Sequence, residues 1–346
     1  MVYLIQGHTI QSTFIKSSTI SGYVDAVNDL HIQRKLPKPT TACGADDLVQ
    51  PLIASLRSYE SVPDRREMIY DNMFNLMLKA SKLHQLDSLD SAILDWIILG
   101  RVTGARKSEW CQDSQTVKLT TPNLQNIHQQ PLAFIRDDFT FLDSQDRIIH
   151  TITPSSISSV SSVTIRWRFQ KNNNNGEKIP FVCDKLRPSI CPVLAALRIY
   201  LRAQRLNIPT DTPLAVYAPS TSPNHSFLYI TSSQVTTYLR RFAQSAFGLK
   251  KTDPMLQKWS CHSIRVTAAN LLHRAKMSDS YIQTRLRWKS TTFLEYLRNT
   301  FYTAKLHTEA LAISPVHLPP LDTNVGPRHR DPTHFEQLTT TPAAAA

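Results

Sequence analysis

Apolar residues recur at helical spacing over most of the chain, broken by one stretch that reads as strands. Ile20, Tyr23, Val24, Val27 and Leu30 form the first helical stripe, with Ser17 and Ser18 available as caps. Lys35 to Gly44 carries two prolines and a glycine and reads as a linker. A second helix is expected over Asp46 to Tyr59. Pro63-Asp64 opens a third, with Ile69, Met73, Leu76, Met77 and Ala80 on one face. Together these predict a small all-helical unit over residues 1–86.

Asp87 or Ser88 caps the next helix, whose stripe is Leu89, Ala92, Ile93, Trp96, Ile97 and Gly100. It breaks at Thr103-Gly104. Residues 110–182 are rich in β-branched and aromatic residues, at Val117–Thr120, Leu132–Ile135, Val163–Phe169 and Ile179–Val182. Asn172 to Gly176 marks a turn that makes the last two a β-hairpin. Helix returns at Pro192, with Leu194, Leu197 and Leu201 inward and Arg198, Arg202 and Arg205 pointing elsewhere. Ser232 or Ser233 caps a helix reaching Phe247. His262 precedes one with Ala268, Ala269, Leu271 and Leu272 inside. Ser278-Asp279 starts a short helix ending near Trp288, and Thr291 or Thr292 caps the one that carries Tyr296. The segment 307–346 is proline-rich, has few large apolar residues and reads as disordered. The pattern predicts a mixed, mainly α fold, in which an all-helical unit is followed by an α+β domain over 87–306 with a small antiparallel sheet.

The 346 residues carry a formal net charge of +12, which favours a polyanionic partner. Between Lys251 and Lys305 there are ten Lys/Arg against three Asp/Glu. The five cysteines, Cys43, Cys111, Cys183, Cys191 and Cys261, form neither a disulfide framework nor a zinc pattern. A reducing compartment is expected. No signal segment opens the chain and no apolar run is long enough to span a membrane. His262 and His273 have no third ligand at metal-binding spacing, so no metal is expected. No G-x-x-x-x-G-K-[ST] loop and no G-x-S-x-G elbow is present, so neither a nucleotide cofactor nor serine-hydrolase chemistry is expected.

The residues that carry chemistry are Arg106 in Thr103-Gly-Ala-Arg106-Lys-Ser-Glu109, His262 and Arg265 in His-Ser-Ile-Arg, then Trp288 and Tyr296. Arginine forks hold a phosphate bidentately, histidine and tryptophan donate to its oxygens, and a tyrosine oxygen can attack phosphorus. These motifs resemble the tyrosine recombinase/integrase family, over roughly residues 15–305. Residues 103–109 are similar to its first box, T-G-x-R-x-S-E, and His262 and Arg265 to its H-x-x-R. Tyr296 follows Trp288 by eight residues, where many members use nine. The tryptophan, the short spacing and the run from Arg287 to Arg298 look more like recombinases of eukaryotic mobile elements, the Crypton and DIRS-like groups.

The resemblance implies a site-specific DNA recombinase or integrase that cuts and rejoins DNA through a 3′-phosphotyrosyl intermediate, without cofactor. Arg106, Arg265, His262 and Trp288 would cradle the phosphate and Tyr296 would be the nucleophile. Lys171 on the β-hairpin would be the general acid, with Lys178 as the alternative. Glu109 would orient Arg106, and Lys289 and Arg298 would contact DNA. Tyr302 and Tyr281 compete less well for the nucleophile's place. The helical unit would close over duplex DNA, and dimers or tetramers would assemble on it in the nucleus. A decayed DNA-binding protein that no longer cleaves is the alternative, and a type IB topoisomerase shares the chemistry.

Overall fold

The structure, a computed structural model, describes residues 15–42, 44, 46–60, 65–81, 83–120, 129–170, 174–219, 227–298, 304–306 and 308–309. Three helices come first: α1 (Ser17–Gln33), α2 (Pro39–Ala42) and α3 (Asp46–Tyr59). The linker expected at 35–44 therefore contains one helical turn. Of the stripe on α1, Ile20 is buried, while Tyr23, Val27 and Leu30 stay exposed.

The helix expected from Pro63-Asp64 begins later. Residues 61–64 lie outside the described residues, 65–70 form no regular element, and α4 runs Asp71–Ser81. The reason lies in where the backbone donors go. Glu67 N–H donates to the Lys258 carbonyl at 2.9 Å, and Ile69 N–H to Thr267 Oγ1 at 2.8 Å. Donors satisfied by distant partners gain nothing from a local helix. Met73, Phe74 and Met77 of α4 enter the same core as the elements that follow, so packing is continuous across residue 86.

Helix α5 (Leu89–Thr103) is the axis of that core. Ser88 caps it, accepting from Ser91 N–H at 3.4 Å, and Gly104 ends it at a φ of 57°. The sequence stripe marks one face, yet Leu94, Asp95, Ile98 and Leu99 are buried too. Asp95 is tolerated because Arg198 Nε and Arg202 Nη2 reach it at 2.6 and 2.5 Å. Those arginines belong to a later helix and were expected to point elsewhere. Instead Arg202 is only 2% exposed.

After the short helix α6 (Lys107–Trp110) the chain makes a three-stranded antiparallel sheet: β1 (Phe139–Leu142), β2 (Ser162–Trp167) and β3 (Glu177–Val182). Val163, Ile165 and Trp167 alternate inward on β2, and Ile165 faces Phe139 on one side and Ile179 on the other. The β2–β3 hairpin lies where the turn at 172–176 predicts it. Of the expected strands Val117–Thr120 and Leu132–Ile135, the first enters only the bridge from Leu119 to Pro131 and the second forms no strand, while the missed strand Phe139–Leu142 forms one edge of the sheet.

Helix α7 (Pro192–Arg205), the short pair β4 (Val216–Tyr217) and β5 (Leu228–Tyr229), and α8 (Ser232–Phe247) complete the wall around α5. Thr231, one residue before the expected serines, caps α8. Then come α9 (Ser263–Arg274), α10 (Asp279–Arg285) and a 3-10 turn, Thr291–Tyr296. The chain is thus mainly helical with a small antiparallel sheet. It divides into two units, Met1–Arg298 and Asn299–Ala346. In the second, 304–306 and 308–309 are helical, and the rest of the expected disordered segment lies outside the described residues. Among the described residues no helix is long and apolar enough to cross a membrane, and no cluster of three His, Cys, Asp or Glu could hold a metal. Two thiol pairs approach each other, Cys111 with Cys261 at 3.9 Å and Cys183 with Cys191 at 3.6 Å.

Close approach of α9 to α5 fixes the later geometry. A Cβ at Gly100 would stand 2.4 Å from Ile264 Cγ2. Gly100→Ala should therefore lower stability in urea denaturation by about 1–3 kcal/mol, the usual cost of overpacking. The same change in an Ile264→Ala background should cost less, because the clashing methyl is gone.

Candidate active site

Arg106 sits just past the left-handed turn at Gly104 and caps α6. That short helix is held by aromatic packing. Trp110 stacks on Trp96 at 5.0 Å between ring centroids, and Phe134 meets Trp96 at 6.3 Å and Trp167 at 5.4 Å. Glu109, 5% exposed, therefore stands on a rigid base. Its Oε2 accepts from Arg106 N–H at 2.8 Å and its Oε1 from Arg106 Nη1 at 2.9 Å.

Arg265 enters from the first turn of α9. Its Nη1 donates to the Gly104 carbonyl and its Nη2 to the Leu286 carbonyl at 3.1 Å. Its guanidinium lies 4.2 Å from the centre of the Trp288 ring. Tyr296 is placed by a small apolar cluster of its own: Ala268, Ala269, Ile282, Leu286 and the fully buried Phe293 lie beneath it. Asn270 Nδ2 holds the Tyr296 carbonyl at 2.8 Å, and Asn270 Oδ1 accepts from Arg298 N–H at 2.9 Å. The Tyr296 ring lies 4.6 Å from that of Trp288 and 5.1 Å from that of His262.

These side chains line one open depression of about 730 Å³. Arg106, His262, Arg265, Trp288 and Tyr296, far apart in sequence, all reach it, as do Arg66, Lys107, Lys289 and the hydroxyl residues Ser108, Ser232, Ser260 and Thr236. Helices α8 and α9 begin at its wall, so their positive ends add to the field there. Lys171 lies outside the described residues. Lys178 is exposed, pairs with Arg166 across the hairpin and does not line the depression. Arg298 turns inward, donating from Nε to the Arg66 carbonyl at 3.0 Å and from Nη1 to the Glu295 carbonyl at 2.9 Å. Tyr281 is exposed on α10, away from the lining, and Tyr302 lies outside the described residues.

Arg287 escapes the sequence reading. It is 4% exposed, although arginine is seldom buried. Its Nη2 donates to Glu109 Oε2 at 3.1 Å and its Nη1 to the Thr103 carbonyl at 3.0 Å. Its guanidinium lies 3.9 Å from the centre of the Trp167 ring, and the Trp167 indole N–H also reaches Glu109, at 3.2 Å. The backbone there has a φ of 59°, a conformation that costs a non-glycine residue on the order of 1–3 kcal/mol. Nothing in residue type signals that turn, because glycine or asparagine is its usual occupant. Asn270 and Arg66 were also missed. The one available signal was a polar Asn270 directly after the buried pair Ala268-Ala269.

Two guanidiniums thus share one carboxylate, and a third, that of Arg265, lies within their field. Burial, then Arg106 and Arg287, push the Arg265 pKa down to about 9, with Glu109 acting the other way. A guanidinium keeps its proton under such pressure, so a buried positive charge remains beside two others. Desolvation, then Arg265, Arg66 and Arg298, push the His262 imidazole down to about 4. His262 keeps an open face to water, which softens the desolvation, but all three arginines act in the same direction. The imidazole is neutral at pH 7. The Trp288 indole N–H is buried and has no acceptor among the described residues.

No family model matches the sequence, and no curated protein matches it. Among solved structures the fold is similar to XerA recombinase, at 11% identity and a TM-score of 0.38, covering 85% of this chain and 82% of that one. It is also similar to the Tn1549 transposon integrase in complex with circular intermediate DNA, at 14% identity and a TM-score of 0.38, covering 85% and 79%. A lambda integrase tetramer bound to a Holliday junction is similar at 16% identity and a TM-score of 0.36, covering 86% and 77%.

Two outcomes follow from these contacts. Glu109→Gln leaves buried guanidiniums without their carboxylate and should cost about 3–5 kcal/mol in thermal or urea unfolding. His262 binds protons more readily unfolded, near pH 6.5, than folded, near pH 4. Its contribution to stability is therefore complete above pH 6.5 and is lost as pH falls towards 4. Melting curves across that window should be flatter for His262→Gln than for the natural chain.

Proposed function

We propose that the protein is a DNA strand-transfer enzyme of the tyrosine recombinase type, cutting and rejoining duplex DNA through a covalent link to Tyr296. The observation that carries this reading is the convergence of two arginines, a neutral histidine, an indole donor and a tyrosine on one basic depression.

A phosphodiester is the anion this site suits. Arg106 and Arg265 offer forks to its non-bridging oxygens, and the Trp288 N–H supplies a donor that otherwise lacks a partner. As Tyr296 Oη attacks phosphorus, negative charge grows on those oxygens, where the surplus positive charge is already fixed. The neutral His262 can take the phenol proton. The P–O5′ bond breaks, the 3′ phosphate stays on tyrosine, and the 5′ oxygen leaves with a proton from a general acid, for which Lys171 is the candidate. A 5′ hydroxyl from another strand reverses the sequence, so the energy of the broken bond is kept in the phosphotyrosyl ester.

In this reading residues 1–86 contribute a clamp over the duplex, 87–306 the catalytic domain, and Lys289 at the depression's edge a backbone contact. Two sites must be joined, which asks for dimers or tetramers on DNA. A mobile genetic element as source and the nucleus as location belong to the same proposal.

Nicked duplexes made from DNA flanking the gene test it. The natural chain should give an adduct that survives a denaturing gel, and Tyr296→Phe should give none. Arg106→Ala and Arg265→Ala should slow adduct formation about 10²–10³-fold, as loss of one oxyanion donor does. Binding to the same duplexes without any adduct would leave a DNA-binding protein and sink the enzyme.

A further inference from the structure

We infer that Arg287 is a positioning residue that sets the separation and aim of the two clamping arginines. This rests on the strand-transfer reading of the depression. Arg287 does not line the depression, so it acts on phosphate through its neighbours.

The observation behind it is a pair of successive carbonyls. Leu286 O accepts from Arg265 Nη2 at 3.1 Å, and Arg287 O accepts from Arg106 Nη2 at 3.4 Å. One peptide step therefore spaces the two forks. How those carbonyls diverge depends on the backbone at 287, which is left-handed. A non-glycine residue holds that conformation only when its surroundings enforce it. The Arg287 side chain does so from three directions: Thr103 O at the end of α5, Glu109 Oε2 on α6, and the Trp167 ring at the end of β2.

The side chain also assigns the oxygens of Glu109. Arg287 Nη2 and the Trp167 N–H meet at Oε2, which leaves Oε1 to Arg106 Nη1. The fork of Arg106 is thereby aimed by Glu109 on one side and by the Arg287 carbonyl on the other. Trp167 ends β2, so the sheet as well as α5 and α6 fixes where Arg287 lies. A lysine could not reproduce this, because a point charge on a flexible stem cannot bridge a carboxylate and a carbonyl while lying flat on an indole.

The test compares Arg287→Lys and Arg287→Gly with the natural chain on the nicked duplexes above. Glycine accepts the left-handed turn without strain, so it separates the backbone's part from the side chain's. Both variants should melt below the natural chain, R287G more so because it also empties a buried site, so rates are compared at a temperature where all are folded. Duplex binding should stay within about threefold, because no phosphate contact is removed. Single-turnover adduct formation should fall about 100-fold in each, the scale of a misplaced catalytic group. R106A/R287K should be slower than Arg106→Ala alone, but by less than the factor R287K shows in the natural chain, since only the part of Arg287's effect that runs through Arg265 remains. Equal rates for the natural chain and R287K, or rate losses that multiply in the double variant, would overturn the positioning role and leave the enzyme reading intact. A full rate in R287G with loss in R287K would assign the effect to the turn alone and also overturn it. No adduct from the natural chain would remove both.

Discussion

One carboxylate holds the site together. Glu109 receives Arg106, Arg287 and the indole of Trp167, and it is the group that makes a cluster of guanidiniums possible in a place with little water. Like charges in such surroundings repel strongly, and a single carboxylate cannot neutralise three of them. The fold accepts that imbalance because the arginines are also bound to backbone carbonyls at Gly104, Thr103 and Leu286. Those carbonyls lie at the ends of elements that the apolar core has already fixed.

The result is a depression at which positive charge outweighs negative. Positive field, helix starts and an unmatched indole donor all face the same depression, so the work of arranging dipoles is done during folding. A bound anion would relieve the repulsion on Arg265 and on His262 together. In the strand-transfer reading, binding and stability would therefore be linked, and bound DNA would raise the melting temperature.

Much of this arrangement is legible in the chain. The helical periodicities and the hairpin turn can be read because they rest on local spacing, and the five side chains that meet at the depression can be read only through their resemblance to a family's motifs. What escapes is set by partners distant in sequence. Residues 65–70 stay out of the helix because Lys258 and Thr267 take the N–H groups of Glu67 and Ile69. Arg202 is buried because Asp95 lies on the helix it packs against. The edge strand Phe139–Leu142 is short, and its pairing with β2 is visible only once the hairpin exists. Arg287 is hidden most deeply, since its backbone conformation contradicts its residue type.

The turn that carries Tyr296 gives a last consequence. Thr291–Tyr296 is 3-10 helical, and it hangs from Phe293 and from the carboxamide of Asn270. In such a turn each added or deleted residue swings the next side chain through about 120°. The eight-residue interval from Trp288 to Tyr296 is thus an angular setting more than a length. A chain one residue longer would keep its tyrosine near the depression and aim the hydroxyl elsewhere, unless the anchors at 270 and 293 changed with it.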